Sequence, residues 1–319
     1  EHLGGGLSLE TARGCTNPCL FCTTPGRDAH RGRSPEVVAG HLAAYSDRLR
    51  DLFGDEPPAP SRRVQICDDD FTCDPARAAL TLEAIGRSGL ALGAFQASVR
   101  DLLDGHGKDG KASLHTGLLD SIRPSLFQDS AGGRALASRP QGRLPARMSS
   151  FVHLGVESFC DADLRRLGKG YSAADACSVV DALDERGVVH DAYLILSGPG
   201  STLDDLATSL LEVARMKVEH PSTFFIRIPV VPFVVPTFAS PAYRTWSRRI
   251  ARGAMRGSIE TARTLSIEGY PDLDYPLVAR GLPADREARA ASESWEALIE
   301  ADPMLVRPVE NLEAFLRGR

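Results

Sequence analysis

The chain has 319 residues and a formal net charge of −5 at pH 7, a length that suits one large or two ordinary domains. The acidic balance excludes a broad basic surface for nucleic-acid backbones, so a small-molecule substrate is the easier expectation. No apolar run is long enough to span a bilayer, and the seven cysteines show no even, regular framework. Both features favour a soluble protein of a reducing compartment, the cytoplasm.

Six strand candidates alternate with helix candidates along the chain. In order, the strands are predicted at Leu7–Ala12, Val64–Cys67, Leu92–Val99, Phe151–Val156, Ala192–Leu196 and Phe224–Val231. Such alternation is typical of a parallel sheet whose strands are joined by crossover helices. Six units are too few for the full eight-stranded barrel, so the sequence predicts an α/β fold with a partial (β/α)6 TIM-like barrel.

Capping residues mark the predicted helix starts. Ser34 is expected to cap a helix that begins at Pro35, and Asp74 one that begins at Pro75. A capping-box-like run at Ser201–Asp205 begins another helix. Apolar stripes with spacings of three and four support the first and last of these helices: Val38, Leu42, Tyr45, Leu49 and Leu52, and Leu206, Leu210 and Val213.

Two segments depart from this rhythm. Residues 101–150 are rich in Gly, Ser, Arg and Pro, with a short helix candidate only at Leu114–Ile122. We interpret them as an irregular insertion at the barrel rim, between the third and fourth strands. Residues 237–319, with a helix at Asp285–Ile299, are predicted to form a mostly helical extension that closes or flanks the barrel of residues 1–236.

Cys15, Cys19 and Cys22 form a Cys-x3-Cys-x2-Cys triplet directly after the first predicted strand. Three thiolates this close can each ligate one iron of a [4Fe–4S] cluster, which leaves the fourth iron open to a small molecule. The alternative is a structural zinc site with His30 as the nearest further ligand. Zinc motifs usually come as two matched pairs, and no second pair follows here, so the spacing favours iron–sulfur chemistry.

Four further cysteines lack Cys-x2-Cys pairing, so a second cluster is not expected: Cys67, Cys73, Cys160 and Cys177. Cys73 and Cys160 follow the second and fourth strands, where spare buried cysteines are expected in preference to radical-quenching thiols. His153 and His190 lie in or beside strands. We expect them to be satisfied core histidines rather than catalytic bases.

With these motifs in order, residues 7–236 resemble the radical S-adenosylmethionine (radical SAM) enzymes. Besides the cysteine triplet, four segments resemble that superfamily in the right order: Arg33–Glu36, Asp68–Phe71, Gly155–Ser158 with Gly168–Gly170, and Gly198–Gly200. The pattern is closest to the branch whose members often carry an N-terminal cobalamin-binding domain. The residues before the cysteine loop are too few to form that domain, so the use of cobalamin stays open.

The resemblance implies roles for acidic and hydroxyl side chains. Asp68 and Asp69 correspond to groups that meet the ammonium of SAM, because an ammonium needs an anionic acceptor. The alternative is that the three consecutive aspartates only cap the following turn. Glu157 and Ser158 correspond to groups that bond the ribose hydroxyls, with helix capping as the alternative.

The resemblance also implies where the adenosyl group lies. Gly198 and Gly200 correspond to a segment in which the lack of a side chain lets that group approach the backbone. The backbone around Ile228 could grip the adenine, with Phe21 against its face. Plain packing is the alternative for Phe21.

One face of the third predicted strand carries Gln96, Ser98 and Arg100, which could meet a ligand. Arg100 could bind the methionine carboxylate or a substrate anion, with a solvent-facing salt bridge as the alternative. The same two interpretations apply to Lys169.

The resemblance implies an enzyme in which a [4Fe–4S] cluster reductively cleaves SAM to a 5′-deoxyadenosyl radical. The radical then abstracts hydrogen from a small-molecule substrate, and the Ala, Arg and Gly bias associates the chain with natural-product pathways. The electron donor would be external, such as flavodoxin or ferredoxin. The reaction class, whether oxidoreductase, lyase or transferase, stays open. One alternative is a cobalamin-dependent radical SAM methyltransferase whose cobalamin domain is absent or separate, and another is a non-catalytic iron–sulfur or zinc protein.

Overall fold

The structure is a computed structural model, and it describes residues 6–22, 29–106, 112–125, 151–195, 203–227, 258–261 and 276–279. A six-stranded sheet is formed by β1 Leu7–Leu9, β2 Arg63–Ile66, β3 Ala91–Ser98, β4 Phe151–Glu157, β5 His190–Leu194 and β6 Phe224–Arg227. The helices between these strands are α1 Pro35–Phe53, α2 Pro75–Arg87, α3 Thr116–Ser125, α4 Asp161–Leu167, α5 Ala173–Glu185 and α6 Leu203–Glu219.

The strands follow one another in chain order across the sheet, and every neighbouring pair is parallel. This order is that of a singly wound partial barrel, so the predicted α/β fold class is confirmed. All six strands therefore point their carboxyl ends toward one edge. Strand β1 ends earlier than predicted because Ala12–Arg13 pairs antiparallel with Arg31–Gly32 instead.

The helix caps follow the sequence signals. The Ser34 hydroxyl accepts from the Val37 backbone N–H at 3.4 Å, and Asp74 accepts from the Arg77 backbone N–H at 3.1 Å. Helices α4 and α5, which join β4 to β5, were not predicted. The start of α5 is a full capping box in which Ser172 and Asp175 bind each other's backbone N–H groups.

The hydrophobic core lies between the sheet and the helices. On β4, Val152, Leu154 and Val156 are buried against the helices, whereas His153 and Glu157 face the inside of the curved sheet. The predicted stripe of α6 is buried as expected, and so is most of the stripe of α1. Leu52, in the last turn of α1, is 44% exposed and extends past the core.

The segment after β3 is more regular than the predicted irregular insertion. Leu103–His106 pairs antiparallel with Ala112–Leu114, and α3 follows, while residues 126–150 lie outside the described residues. In the C-terminal segment, Ser258–Thr261 pairs antiparallel with Pro276–Ala279, so the described part is strand rather than helix. The helix predicted at 285–299 lies outside the described residues, and the division at residue 236 stays a prediction.

No helix in the described part of the chain combines the length and the apolar character needed to cross a membrane.

His190 makes the stability of the fold depend on pH. Its ring is fully buried, and the centroids of the His190 and Phe224 rings are 5.6 Å apart. Nδ1 donates to the Val188 carbonyl at 2.9 Å, and Nε2 has no hydrogen-bond partner. Burial lowers the pKa of His190 from 6.5 to about 4. The unfolded chain therefore binds this proton first, and stability is present above pH 6.5 and lost as the pH falls toward 4.

We expect the free energy of unfolding to fall by about 2 kcal/mol between pH 7 and pH 5 through this group alone. His190→Leu should flatten the slope over that interval, whatever its absolute stability. Urea unfolding of both proteins at the two pH values measures the difference, and equal slopes would contradict the assignment.

Candidate active site

A cavity of about 240 Å³ lies on the inner face of the sheet, toward the carboxyl ends of the strands. Its described lining comes from the cysteine loop after β1, the segment after β2, and the inner faces of β3, β4 and β5. Lys169, which follows α4, completes it. The carboxyl edge is where barrel folds place their active sites.

The three cysteines of the triplet all line this cavity. Cys19 is 8% exposed, Cys15 and Cys22 are half-buried, and all three are free thiols. Burial raises the pKa of Cys19 above its ordinary value. Three free thiols on one cavity could each ligate one iron of a [4Fe–4S] cluster and leave the fourth iron open, so these residues fit the group.

A single-ion site is not formed by these thiols. Within the described ranges, no three His, Cys, Asp or Glu side chains converge closely enough to hold one metal ion. His30, the further ligand of the zinc alternative, does not line the cavity, and that alternative stays open.

Three consecutive aspartates after β2 each bind a different point of the cysteine loop. The contact point advances by three residues with each aspartate: the Thr11 N–H donates to Asp68 (2.6 Å), the Gly14 N–H to Asp69 (2.9 Å) and the Asn17 side-chain amide to Asp70 (3.0 Å). The capping alternative holds only for Asp70, which accepts from the Thr72 N–H at 3.0 Å. Asp69 and Asp70 line the cavity as well.

Asp68 lies behind the loop, outside the cavity lining. Its side chain is 1% exposed and accepts from the Thr11 hydroxyl at 2.5 Å and from Arg77 at 3.5 Å. The Arg77 guanidinium also donates to Thr11 Oγ1 at 2.7 Å and to the Phe71 carbonyl at 3.2 Å. These contacts bind the ends of β1 and β2 to α2, and the predicted role of Asp68 toward SAM stays a prediction.

A buried ion pair forms the opposite wall. Lys169 Nζ lies 3.4 Å from Glu157 Oε1 and 5.7 Å from the centroid of the Phe21 ring, and the two charged side chains are 4% and 12% exposed. Burial alone would lower the pKa of Lys169, but Tyr171 and Glu157 more than offset it, so the net direction is upward. Burial raises the pKa of Glu157, and Lys169 acts in the opposite sense.

Left-handed backbone conformations position this ion pair. Glu157 has φ +66°, the only positive φ among the described non-glycine residues, and such strain is typical of functional sites. Gly168 ends α4 with φ +71°, which turns the chain so that Lys169 enters the cavity. A Cβ on Gly155 would lie 3.3 Å from Glu157 Oε1 and 3.6 Å from Lys169 Nζ. Glycine at this position therefore avoids a close contact between a side chain and the ion pair.

The remaining predicted residues are spread over several places. Ser98 is buried and lines the cavity together with Phe21. Ser158 is 1% exposed and contacts Ser209 of α6 instead. Arg100 is exposed and outside the lining. Three predicted residues lie outside the described residues: Gly198, Gly200 and Ile228. All these SAM-binding roles stay predictions.

Sequence reasoning did not single out several lining residues. Asn17, 6% exposed, donates to Asp70 at 3.0 Å and to Asp101 at 2.8 Å. Burial, followed by the nearby Asp101 carboxylate, raises the pKa of Asp70 well above its ordinary value. His153 and Tyr193 line the cavity too. The alternation of β4 was the available signal for His153, since it shares a face with Glu157.

Cys73 lies beside the cysteine triplet. Its Sγ accepts from the Thr16 N–H at 3.4 Å and shares a hydrogen bond with the Thr16 hydroxyl at 3.1 Å. A hydrogen bond with Cys15 lowers the pKa of Cys73 to about 6. Cys73 is half-buried and is absent from the lining of the cavity.

Several solved structures share this architecture. One is the cobalamin-dependent S-adenosylmethionine radical enzyme OxsB, with aqua-cobalamin and S-adenosylmethionine bound. It matches at a TM-score of 0.60 and 16% sequence identity, over 93% of this chain and 41% of that chain. Another is the radical S-adenosylmethionine methyltransferase TsrM from Kitasatospora setae, with cobalamin and a [4Fe–4S] cluster bound. It matches at a TM-score of 0.57 and 15% identity, over 95% of this chain and 52% of that chain.

The fold is that of radical S-adenosylmethionine enzymes. The resemblance predicted from the cysteine triplet is thereby confirmed at the level of the fold. The chain spans about half or less of the length of these two enzymes. No protein-family model matches the sequence, and a comparison with curated proteins gives no match either.

Asp68→Asn should destabilise the chain strongly, because it leaves the buried Arg77 guanidinium without its counter-charge. We expect a loss of about 3–5 kcal/mol in the free energy of unfolding, measured by urea denaturation. Asp47→Asn is the matched control: Asp47 pairs with Arg50 at 3.1 Å, but both side chains are more than half exposed. Equal effects of the two changes would contradict a buried anchor.

Gly168→Ala should displace the cysteine loop. Its Cβ would lie 2.9 Å from Leu20 Cγ and 3.2 Å from the Pro18 carbonyl oxygen. Gly187→Ala is the control, because Gly187 has φ +62° and no atom within 4 Å of its Cβ position. Both variants should lose about 1–2 kcal/mol for the left-handed conformation. Only Gly168→Ala should also reduce iron uptake on reconstitution, and equal uptake in the two variants would contradict the contact.

Proposed function

We propose that the chain is a radical SAM enzyme that abstracts hydrogen from a small-molecule substrate. The observation that carries the proposal is the convergence of three free thiols and a buried Glu157–Lys169 pair on one cavity, at the carboxyl edge of a sheet with the radical SAM fold. Cys15, Cys19 and Cys22 would hold a [4Fe–4S] cluster. When bound, that cluster supplies the electron that cleaves SAM to 5′-deoxyadenosine by way of its radical.

The charged lining suits a zwitterionic cofactor. SAM carries an ammonium, a carboxylate and a sulfonium, and the cavity offers Asp69 and Glu157 together with the cation of Lys169. Carboxylates accept from the ammonium, and Lys169 can donate to a carboxylate without leaving Glu157. Because the pair is buried, its interactions are less screened than they would be in water.

The chain's own residues also limit access of water. Phe21 covers Lys169 from the loop side, and both Cys19 and Lys169 are buried. A closed, shaped cavity is needed wherever a reactive species must meet one chosen bond.

An external donor such as flavodoxin or ferredoxin would deliver the electron. An oxygen-sensitive cluster fits the cytoplasm, and a natural-product substrate fits the composition of the chain.

A second candidate is a methyltransferase that works with cobalamin held by a separate domain. It is favoured by OxsB and TsrM, each solved with cobalamin bound and each about twice as long as this chain or more. The two candidates differ in their products, because the first yields 5′-deoxyadenosine alone, whereas the methyltransferase yields S-adenosylhomocysteine as well.

Anaerobic reconstitution with iron and sulfide tests both candidates. We expect about four irons per chain and, after reduction, cleavage of SAM to 5′-deoxyadenosine. Cys19→Ala should take up much less iron, whereas Cys67→Ala, which removes an exposed cysteine outside the cavity, should behave as the wild type.

Chromatography of the products separates the outcomes. S-adenosylhomocysteine formed only when cobalamin is added would support the second candidate. Iron uptake that does not depend on Cys19, or reduced chain that leaves SAM intact, would overturn the proposal.

A further inference from the structure

We propose that an acidic electron-carrier protein docks at the base of the cysteine loop, on a basic ribbon. The ribbon consists of the paired strands Ala12–Arg13 and Arg31–Gly32 together with Arg33. The inference rests on the proposed function, because it names the surface through which the external donor would reach the cluster. It is carried by the charge of the cysteine loop, by the exposure of the ribbon arginines and by their position next to Cys15.

The cysteine loop is a basic segment of an acidic chain. From Ala12 to Arg33 the sequence contains four arginines and one acidic residue, Asp28, so this segment has a net charge of +3. The whole chain carries −5, which leaves −8 for the residues outside the segment. The positive charge is therefore concentrated where the three thiols are, and it attracts an anionic surface to that place.

The ribbon places two arginines directly opposite each other. Arg13 and Arg31 are register partners in the antiparallel pair, so their side chains leave the ribbon on the same face. Gly32 lies against the buried Arg77, because a Cβ on Gly32 would be 2.6 Å from Arg77 Cδ. Like charges in opposite positions destabilise a pair of strands. The two arginines therefore do not serve the stability of the ribbon, which favours a role in binding.

The three ribbon arginines are all exposed to solvent. The Arg13 side chain is 79% exposed although its Nε lies 2.6 Å from Glu10 Oε1. Arg33 Nε donates to the backbone carbonyl of Glu10 at 3.1 Å, which places Arg33 beside this ion pair. An ion pair on the surface contributes little to stability, so Arg13 can exchange Glu10 for a carboxylate of another protein. Guanidinium groups bind carboxylates in a two-point geometry, and the ribbon thus suits a surface rich in Asp and Glu.

The ribbon is adjacent to the proposed cluster ligands. Arg13 is two residues before Cys15, so their Cα atoms are at most about 7 Å apart. Thr16 and Pro18, which follow Cys15 in the loop, are exposed as well. Electron transfer slows steeply as the distance between donor and acceptor grows. A carrier docked on the ribbon therefore has a short path to the Cys15 sulfur, whereas a carrier at the amino edge of the sheet would be further away by the length of a strand.

A nucleic acid is the other polyanion that exposed arginines attract. An extended phosphate backbone would also meet the residues outside the loop, which carry −8, and would be repelled by them. A compact acidic protein can contact the loop alone. The charge distribution thus favours an electron carrier, and DNA serves as a probe for the opposite case.

Calorimetric titration of the full-length chain with oxidised flavodoxin and with oxidised ferredoxin tests this surface without turnover. The chain is used as purified and after anaerobic reconstitution, at ionic strengths of about 0.01 M and about 0.15 M. We expect saturable binding of at least one carrier, weaker at the higher ionic strength because the charges are screened. Arg31→Glu should weaken this binding about ten-fold at the lower ionic strength, and Arg31→Gln should weaken it less.

Arg62→Glu is the matched control. Arg62 is exposed and directly precedes β2, so it lies at the amino edge of the sheet, opposite to the cysteine loop. The same change of charge at this edge should alter the affinity by less than about two-fold. In reconstituted chain, the reduced carrier passes one electron to the cluster, and the rate of this transfer should fall in Arg31→Glu but not in Arg62→Glu.

Four results would overturn the inference. They are no binding of either carrier, an affinity that does not depend on salt, equal effects of Arg31→Glu and Arg62→Glu, or tighter binding of a short single-stranded DNA that Arg31→Glu abolishes. Binding of an oxidised carrier requires neither iron uptake nor SAM cleavage. A failure here is therefore distinguishable from a failure of the proposed function, which is judged by iron uptake and 5′-deoxyadenosine.

Discussion

The buried contact between Asp68, Thr11 and Arg77 holds the cysteine loop in place on the sheet. Thr11 is 57 residues from Asp68 in sequence and bonds it through both its backbone N–H and its hydroxyl. A carboxylate that is 1% exposed needs this many donors, because burial removes its water. The Asp68 carboxylate therefore fixes both the start of the loop, through Thr11, and helix α2, through Arg77. The positions of the three thiols depend on this contact because they follow Thr11 in the chain.

A second constraint comes from the opposite side, where left-handed residues bring the chain close to the loop. The backbone N–H of Leu20 donates to the Leu167 carbonyl at 2.9 Å, directly before Gly168 turns the chain toward the cavity. Residues other than glycine rarely adopt the left-handed conformation of Gly168. A Cβ on Gly168 would also clash with the cysteine loop. The cysteine loop is thus held between the segment after β2 and the segment after α4, and Lys169 reaches the cavity because both contacts are made.

The sequence allowed prediction of the features that depend on local pattern. The apolar runs of the six strands and the caps at Ser34 and Asp74 indicated the α/β rhythm, because each is a property of a few adjacent residues. Helix α5 carried such a pattern, Ser172 and Asp175 followed by an apolar stripe, yet it was overlooked. Other features depend on distant partners. No local signal tells that Asp68 faces Thr11 rather than a ligand. The alternation of β4 does place His153 on one face with Glu157, but whether that face borders a cavity or a core depends on segments distant in sequence.

The polar lining of the cavity is stabilised by contacts among its own side chains. Alternation along β4 puts apolar residues outward, so the inward residues must be polar or small wherever the space inside is open. Such groups are costly to bury alone. Here Glu157 is paired with Lys169, His153 with Asp191, and Asn17 with Asp70 and Asp101. Because each partner also fixes the orientation of the group, a ligand meets donors and acceptors already in place, and less ordering is needed on binding.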